Sequence, residues 1–118
     1  MITKETIIDG LDVKAALARM GGKENLYTRL MISFLGGTEI DALSRSMREG
    51  NAVEAAINAH TLKGTAANLS AYDVQAAAAE LDIALKEKGE IDARTMNMFA
   101  IVEERFRDLI SSCAPYIQ

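Results

Sequence analysis

The sequence predicts an all-α protein, an antiparallel four-helix bundle with one or two additional short N-terminal helices, and three observations lead there. A single proline in 118 residues leaves long stretches of chain unbroken. Between the breaks the chain is rich in Ala, Leu, Met, Glu and Lys, all good helix formers. Apolar residues recur at steps of three and four, with no sustained alternation of the kind a half-buried strand shows.

The elements follow from their ends. After a loosely structured N-terminal arm, Asp12 looks like a cap for a short helix near 12–20, which Gly21-Gly22 stops. A longer helix near 23–36 carries the stripe Leu26, Leu30 and Phe34 and ends at Gly36-Gly37. Thr38, with Asp41 three residues on, reads as the cap of a helix near 38–49 whose stripe is Ile40, Leu43 and Met47. Gly50 releases that helix, and Asn51 followed by Glu54 starts the next, near 51–69. Ser70 followed by Asp73 reads as the cap of a helix near 71–88, striped by Val74, Ala78, Leu81 and Leu85 and stopped at Gly89. Asp92 opens the last, near 92–112, with Phe99, Val102, Phe106 and Leu109 on one face. Short connections force neighbours to run antiparallel, so four long helices stack up and down with the N-terminal helices at their side.

Residues 1–118 are read as a single domain, long enough for one core and with little room for a separate cofactor domain. A net charge of -4 and a pI near 5.0 speak against nucleic acid, whose phosphates need clustered Lys and Arg. No apolar run reaches the roughly 18 to 20 residues of a membrane span, and the N-terminus lacks a signal-peptide pattern, so no membrane partner and a cytoplasmic location are expected. The lone cysteine, Cys113, cannot close an internal disulfide and reads as a small packing residue. One histidine cannot supply a zinc site, and no metal or cofactor is expected on this chain. A phosphate loop of the GxxxxGK[ST] kind is also missing, so no ATP binding or kinase activity of its own is expected.

Chemistry concentrates on the helix near 51–69. At 100° per residue, Ala55, Ala59, Leu62, Ala66 and Leu69 form one narrow core seam, and His60 lies about 160° from Leu62. Its expected neighbours on the outer face are Val53, Ala56, Ile57, Gly64 and Ala67, an apolar surround that suits a partner's landing site better than open water. Gly64 follows His60 by one turn and costs about 1 kcal/mol relative to Ala in a helix interior. The gain that offsets this is clearance for a phosphoryl group and an incoming loop. Lys63 is on the neighbouring flank, where its ammonium can offset phosphate charge. An exposed imidazole with an ordinary pKa near 6.5 is about three quarters neutral at pH 7, leaving a ring nitrogen free to attack phosphorus. Taken alone, a His-x-x-Lys-Gly string also fits a plain surface histidine beside a tolerated helix defect.

The run Ala59-His60-Thr61-Leu62-Lys63-Gly64-Thr65-Ala66-Ala67-Asn68-Leu69-Ser70-Ala71 closely resembles the signature of histidine-containing phosphotransfer domains, A-H-x-L-K-G-[SA]-[SA]-x-x-[LI]-G-A. Upstream, Gly10-Leu11-Asp12-Val13, Ala15, Leu17, Arg19-Met20-Gly21-Gly22 and Leu26-Tyr27 are similar to the family's lead-in, and downstream Glu80-Leu81-Asp82 continues it. The resemblance implies that His60 is the phosphorylated residue, Lys63 the cation on the phosphoryl oxygens and Gly64 the gap that admits the partner. It implies a multistep two-component phosphorelay in which His60 takes phosphate from a receiver-domain aspartate and passes it to another. Partners would be response-regulator receiver domains and a sensor or hybrid histidine kinase, with Val53, Ala56, Ile57 and Ala67 as docking residues. Mg²⁺ would belong to the receiver, and the carrier would be a monomer.

Two positions depart from the signature. Thr65 replaces Ser or Ala, and Ser70 replaces the customary glycine and reads as a helix cap. Asp82 and Lys86 lie where family members sometimes place polar neighbours of the histidine. Two other readings remain open at this point: the phosphoacceptor domain of a chemotaxis-type histidine kinase, and a non-catalytic helical adaptor. An acid-labile, alkali-stable phosphate label excludes the adaptor.

Overall fold

The computed structural model describes residues 1–117. Among these the chain forms α1 (Val13–Arg19), α2 (Glu24–Leu35), α3 (Thr38–Arg48), α4 (Ala52–Asn68), α5 (Tyr72–Lys88) and α6 (Ala93–Cys113), a 3-10 turn over Ala114–Tyr116, and no strand. The all-α bundle expected from the helix formers and the apolar stripes is the observed one.

Side-chain caps set several of the ends. Asp12 accepts the Ala15 N–H at 3.0 Å, and Asn51 accepts the Glu54 N–H at 3.1 Å, so α1 and α4 start where the short polar residues stand. Asp92 and Thr95 exchange both bonds of a capping box at the head of α6, each at 2.9 Å.

Two expected caps are corrected. Thr38 is the first residue of α3, and the cap position belongs to Gly37 in the left-handed region at φ 89°. Gly36 remains right-handed at φ -63°, so the helix stop lies in the second glycine of that pair. Between α4 and α5 the cap is Ala71, which offers no side-chain bond, while Ser70 takes φ 57°, the one positive φ outside glycine among the described residues. This is the place where the resembled signature has glycine, and a side chain there costs on the order of 1–2 kcal/mol. The N-terminal segment supplies the offset. Ser70 Oγ accepts from Arg19 Nη2 at 2.6 Å, and the Ser70 carbonyl accepts the Asp12 N–H at 2.9 Å.

The apolar stripes of α3 to α6 face one another. Helix α4 packs between α3 and α5, and α5 between α4 and α6, while a shared groove lined by Ile40 and Ser44 from α3 and Phe106 from α6 marks the fourth side. Leu43, Met47, Leu62, Val74, Leu81, Leu85, Phe99, Val102, Phe106 and Leu109 are all buried in one core. Each such side chain contributes about 1.5–3 kcal/mol when fully removed from water.

The N-terminal third is built differently from expectation. On α2 the buried residues are Tyr27, Thr28, Met31 and Phe34, while Leu26 is half-buried and Leu30 is exposed. Only Phe34 of the expected stripe is in the core, in edge contact with Phe106 at a centroid distance of 5.4 Å. Tyr27 displaces Leu26 because its ring fills the core and its hydroxyl donates to the Leu69 carbonyl at 2.7 Å, so the phenol is satisfied inside. Nor is the arm before α1 loose. Ile2, Ile8 and Leu11 are buried, and the Ile2 N–H donates to Thr28 Oγ1 at 3.0 Å.

Candidate functional site

Helix α4 presents one flank to α3 and the other to α5. On the α3 side, Asn58 Nδ2 donates to the Ala42 carbonyl at 3.1 Å and to Ser46 Oγ at 3.2 Å, and Thr65 donates to Glu39 Oε2 at 2.8 Å. Ala55, Ala59, Leu62 and Ala66 are buried as the seam predicts. Fixed from behind in this way, the helix turns His60 outward, with its side chain 60% exposed. The imidazole is therefore reachable from outside.

The α5 flank supplies what surrounds the ring. Asp82, buried on α5, places Oδ2 3.1 Å from His60 Nδ1. The same carboxylate has Lys86 Nζ 3.2 Å from Oδ1 and Lys63 Nζ 3.8 Å from Oδ2. Burial pushes the Asp82 carboxyl up, but the hydrogen bonds from His60 and Lys86 and their charges outweigh it and hold it below the ordinary carboxylate value. It stays ionised at neutral pH. Engagement of Nδ1 leaves Nε2, across the ring, as the nitrogen without a hydrogen-bond partner among the described residues.

Gly64 is helical and exposed, and a Cβ built on it meets nothing within 4 Å outside its own helix. No fold requirement for glycine exists there, neither a left-handed φ nor a close neighbour. The gap is open space beside the histidine.

Of the four expected docking residues, Val53 and Ile57 stand out at 74% and 54% exposure on the His60 side, and Ala67 is half-buried. Ala56 is a correction: it is buried and belongs to the core. On a wheel centred on Leu62, Ala56 lies about 120° round on the flank that faces α5, and packing against α5 covers the helix that far.

In the sequence only its spacing singles out Asp82, yet it touches the histidine directly. The signal available was an acid next to Leu81 on the edge of the buried stripe of α5, four residues before a lysine that can pair with it. What spacing could not give is the register of α5 against α4. Among the described residues no group of three or more His, Cys, Asp or Glu is arranged to hold a metal ion.

A family model described as "Hpt domain" matches residues 36–112, well over half of the chain, and the match takes in His60, Lys63, Gly64 and Asp82. No curated protein and no solved structure matched the chain.

Proposed function

The chain belongs to the Hpt-domain family, with a histidine phosphotransfer role in two-component signalling, and within that role we propose that His60 accepts a phosphoryl group from a receiver-domain aspartate and passes it to a second receiver. The observation that carries this reading is an exposed imidazole, held at one ring nitrogen and open at the other, next to the empty space at Gly64.

The step is an in-line displacement. Nε2 of neutral His60 donates its lone pair to the phosphorus of the aspartyl phosphate, the acyl P–O bond breaks, and the receiver's carboxylate leaves with the electron pair. Delivery to the next receiver is the reverse. Positioning and charge neutralisation supply most of the acceleration in reactions of this kind. On this chain Lys63, three residues from His60 on the same helix, supplies the cation for the phosphoryl oxygens, and its separation of 3.8 Å from Asp82 leaves it loose enough to swing to them. Mg²⁺ comes with the receiver. Val53 and Ile57, with the half-buried Ala67, form the apolar ground on which the receiver rests in a transient contact.

Hpt domains in general interact with receiver domains and histidine kinases, and these are the partner classes proposed here. No helix among the described residues is long and apolar enough to cross a membrane. A monomer working in the cytoplasm fits these partners.

The deciding experiment incubates the protein with a phosphorylated receiver and Mg²⁺ beside the His60→Gln variant. Label on the parent alone, acid-labile and alkali-stable, is the expected result. Equal labelling of both proteins overturns the assignment of His60, and labelling of neither by several receivers overturns the carrier role.

A further inference from the structure

We propose that the groove between α2, the start of α3 and the end of α4 binds a small organic cation, a single ammonium, amidinium or guanidinium group on an apolar body, with Glu39 as its counter-ion. The groove is on the α3 flank of α4, and the proposal stands whether or not His60 carries phosphate.

The walls define the body of the ligand. The groove has a volume of about 500 Å³, within the range of small-molecule sites. Met20, Leu30, Phe34 and Leu69 line it with apolar surface. Leu30 is the residue that the stripe of α2 assigns to the core; it is 39% exposed and lines this groove instead. Glu39 is the one charged residue in the lining.

That carboxylate defines the head. Its Oε2 accepts from Thr65 Oγ1 at 2.8 Å, which holds the group across the seam between α3 and α4. Its Oε1 is buried and has no hydrogen-bond partner, and no ion pair among the described residues involves Glu39. An acceptor taken out of water without a donor is a net cost, and the cost is larger for a charged group. The carboxylate turns readily about its last bond, so an entering donor takes one oxygen while Thr65 keeps the other.

The chemistry narrows the choice of donor. A neutral amide would satisfy the oxygen and leave the charge unanswered, whereas a cation does both. A bare divalent metal ion is a poor match, because it needs several oxygen ligands and these walls are largely apolar. An anion would be repelled. An organic cation fits both halves of the groove, its apolar part on the leucine and phenylalanine walls and its N–H groups on Glu39.

A purely structural role for Glu39 is the alternative. It is in the first turn of α3, where the helix dipole favours an acid, and its bond to Thr65 ties α3 to α4. Two variants separate the readings. Glu39→Gln keeps a side-chain oxygen for the Thr65 hydroxyl and loses the charge. Leu30→Lys, at an exposed wall position, adds an ammonium of the chain's own beside the same carboxylate.

The test titrates the full chain with benzamidine and with 4-phenylbutylamine, using benzamide as the neutral control, and follows ¹H–¹⁵N spectra. Saturating shifts at Leu30, Glu39, Thr65 and Asn68 are expected for at least one cation, with a Kd on the order of 1 mM, the scale that about ten ligand atoms allow. Benzamide should bind about tenfold more weakly than benzamidine. Glu39→Gln should erase that preference, and Leu30→Lys should block the cations, while both variants keep parental helicity. Parental binding of the cations by Glu39→Gln or by Leu30→Lys overturns the proposal, as does equal binding of benzamide and benzamidine. Binding of neither cation by the parent also overturns it; slower transfer from a phosphorylated receiver to Glu39→Gln in that case would assign the groove to a basic side chain of the receiver. A lowered melting temperature in Glu39→Gln with cation binding unchanged establishes the structural tie instead.

Discussion

Substitution at Gly64 should push stability and transfer in opposite directions. A glycine in a helix interior is about 1 kcal/mol less favourable than alanine. Here the added Cβ meets nothing within 4 Å, and the backbone is ordinary helix, so no clash or strain subtracts from the gain. Gly64→Ala should therefore stabilise the fold by nearly the full 1 kcal/mol and raise the melting temperature by roughly 4 °C. Gly64→Gln should recover a little over half of that, because a long straight side chain is a good but not the best helix former.

Function should suffer in proportion to size. Cα–Cβ bonds on a helix tilt toward its N-terminus, so any side chain at position 64 leans over residue 60, one turn earlier. The methyl of alanine intrudes slightly, whereas the glutamine chain covers the approach to Nε2. A displacement of the reacting atoms by about 1 Å costs on the order of 10²-fold in rate. Urea denaturation gives the stability, and rapid-quench transfer from a phosphorylated receiver gives the rate. Gly64→Gln transferring at the parental rate would refute the clearance argument, and Gly64→Ala unfolding at lower urea than the parent would refute the claim that the fold has no need of glycine there.

Other expectations are smaller. Lys63→Ala should slow transfer several-fold while changing stability by less than about 0.5 kcal/mol, because a partly exposed ion pair at 3.8 Å contributes little; urea midpoints and transfer rates check both. Ile57→Asp should weaken receiver binding by about tenfold, close to 1.4 kcal/mol, and leave phosphoramidate labelling of His60 unchanged, which titration calorimetry and the labelling assay together decide. The Asp82 carboxyl titrates below its unfolded value, so its contribution to stability is complete above about pH 4 and disappears as the pH falls through the depressed folded value. The stability gap between the parent and Asp82→Asn should accordingly close as the pH falls through that depressed value; a gap that persists unchanged at pH 2 would contradict the ionised, paired carboxylate.

Local signals made much of this molecule legible. The caps at Asp12, Asn51 and Asp92 and the stripes of α3, α5 and α6 are written in residues a few positions apart, and the chemistry that reads them is equally local. His60 was legible for the same reason, since the seam of its own helix determines where it points. Whatever depends on a distant partner was not. Tyr27 stands outside the expected stripe of α2, and its place in the core depends on Leu69, 42 positions away, whose carbonyl accepts from its hydroxyl. Ile2 had no periodic context and is held by Thr28. Ser70 reads as a cap from its type, but Arg19 and Asp12 hold it in a left-handed turn. Ala56 and Asp82 both depended on how α5 lies against α4, which no single-helix wheel contains.

The Arg19 guanidinium has a consequence for how this protein can be trimmed. Its Nη2 group clasps the Ala67 and Asn68 carbonyls, at 3.1 and 2.9 Å, as well as the Ser70 hydroxyl, and so ties off the last turn of the helix that bears His60. The stretch recognised as Hpt begins seventeen positions later, at residue 36. A chain shortened to that boundary would leave the histidine rod fraying at its far end and bare the floor now roofed by Ile2, Tyr27 and Met31.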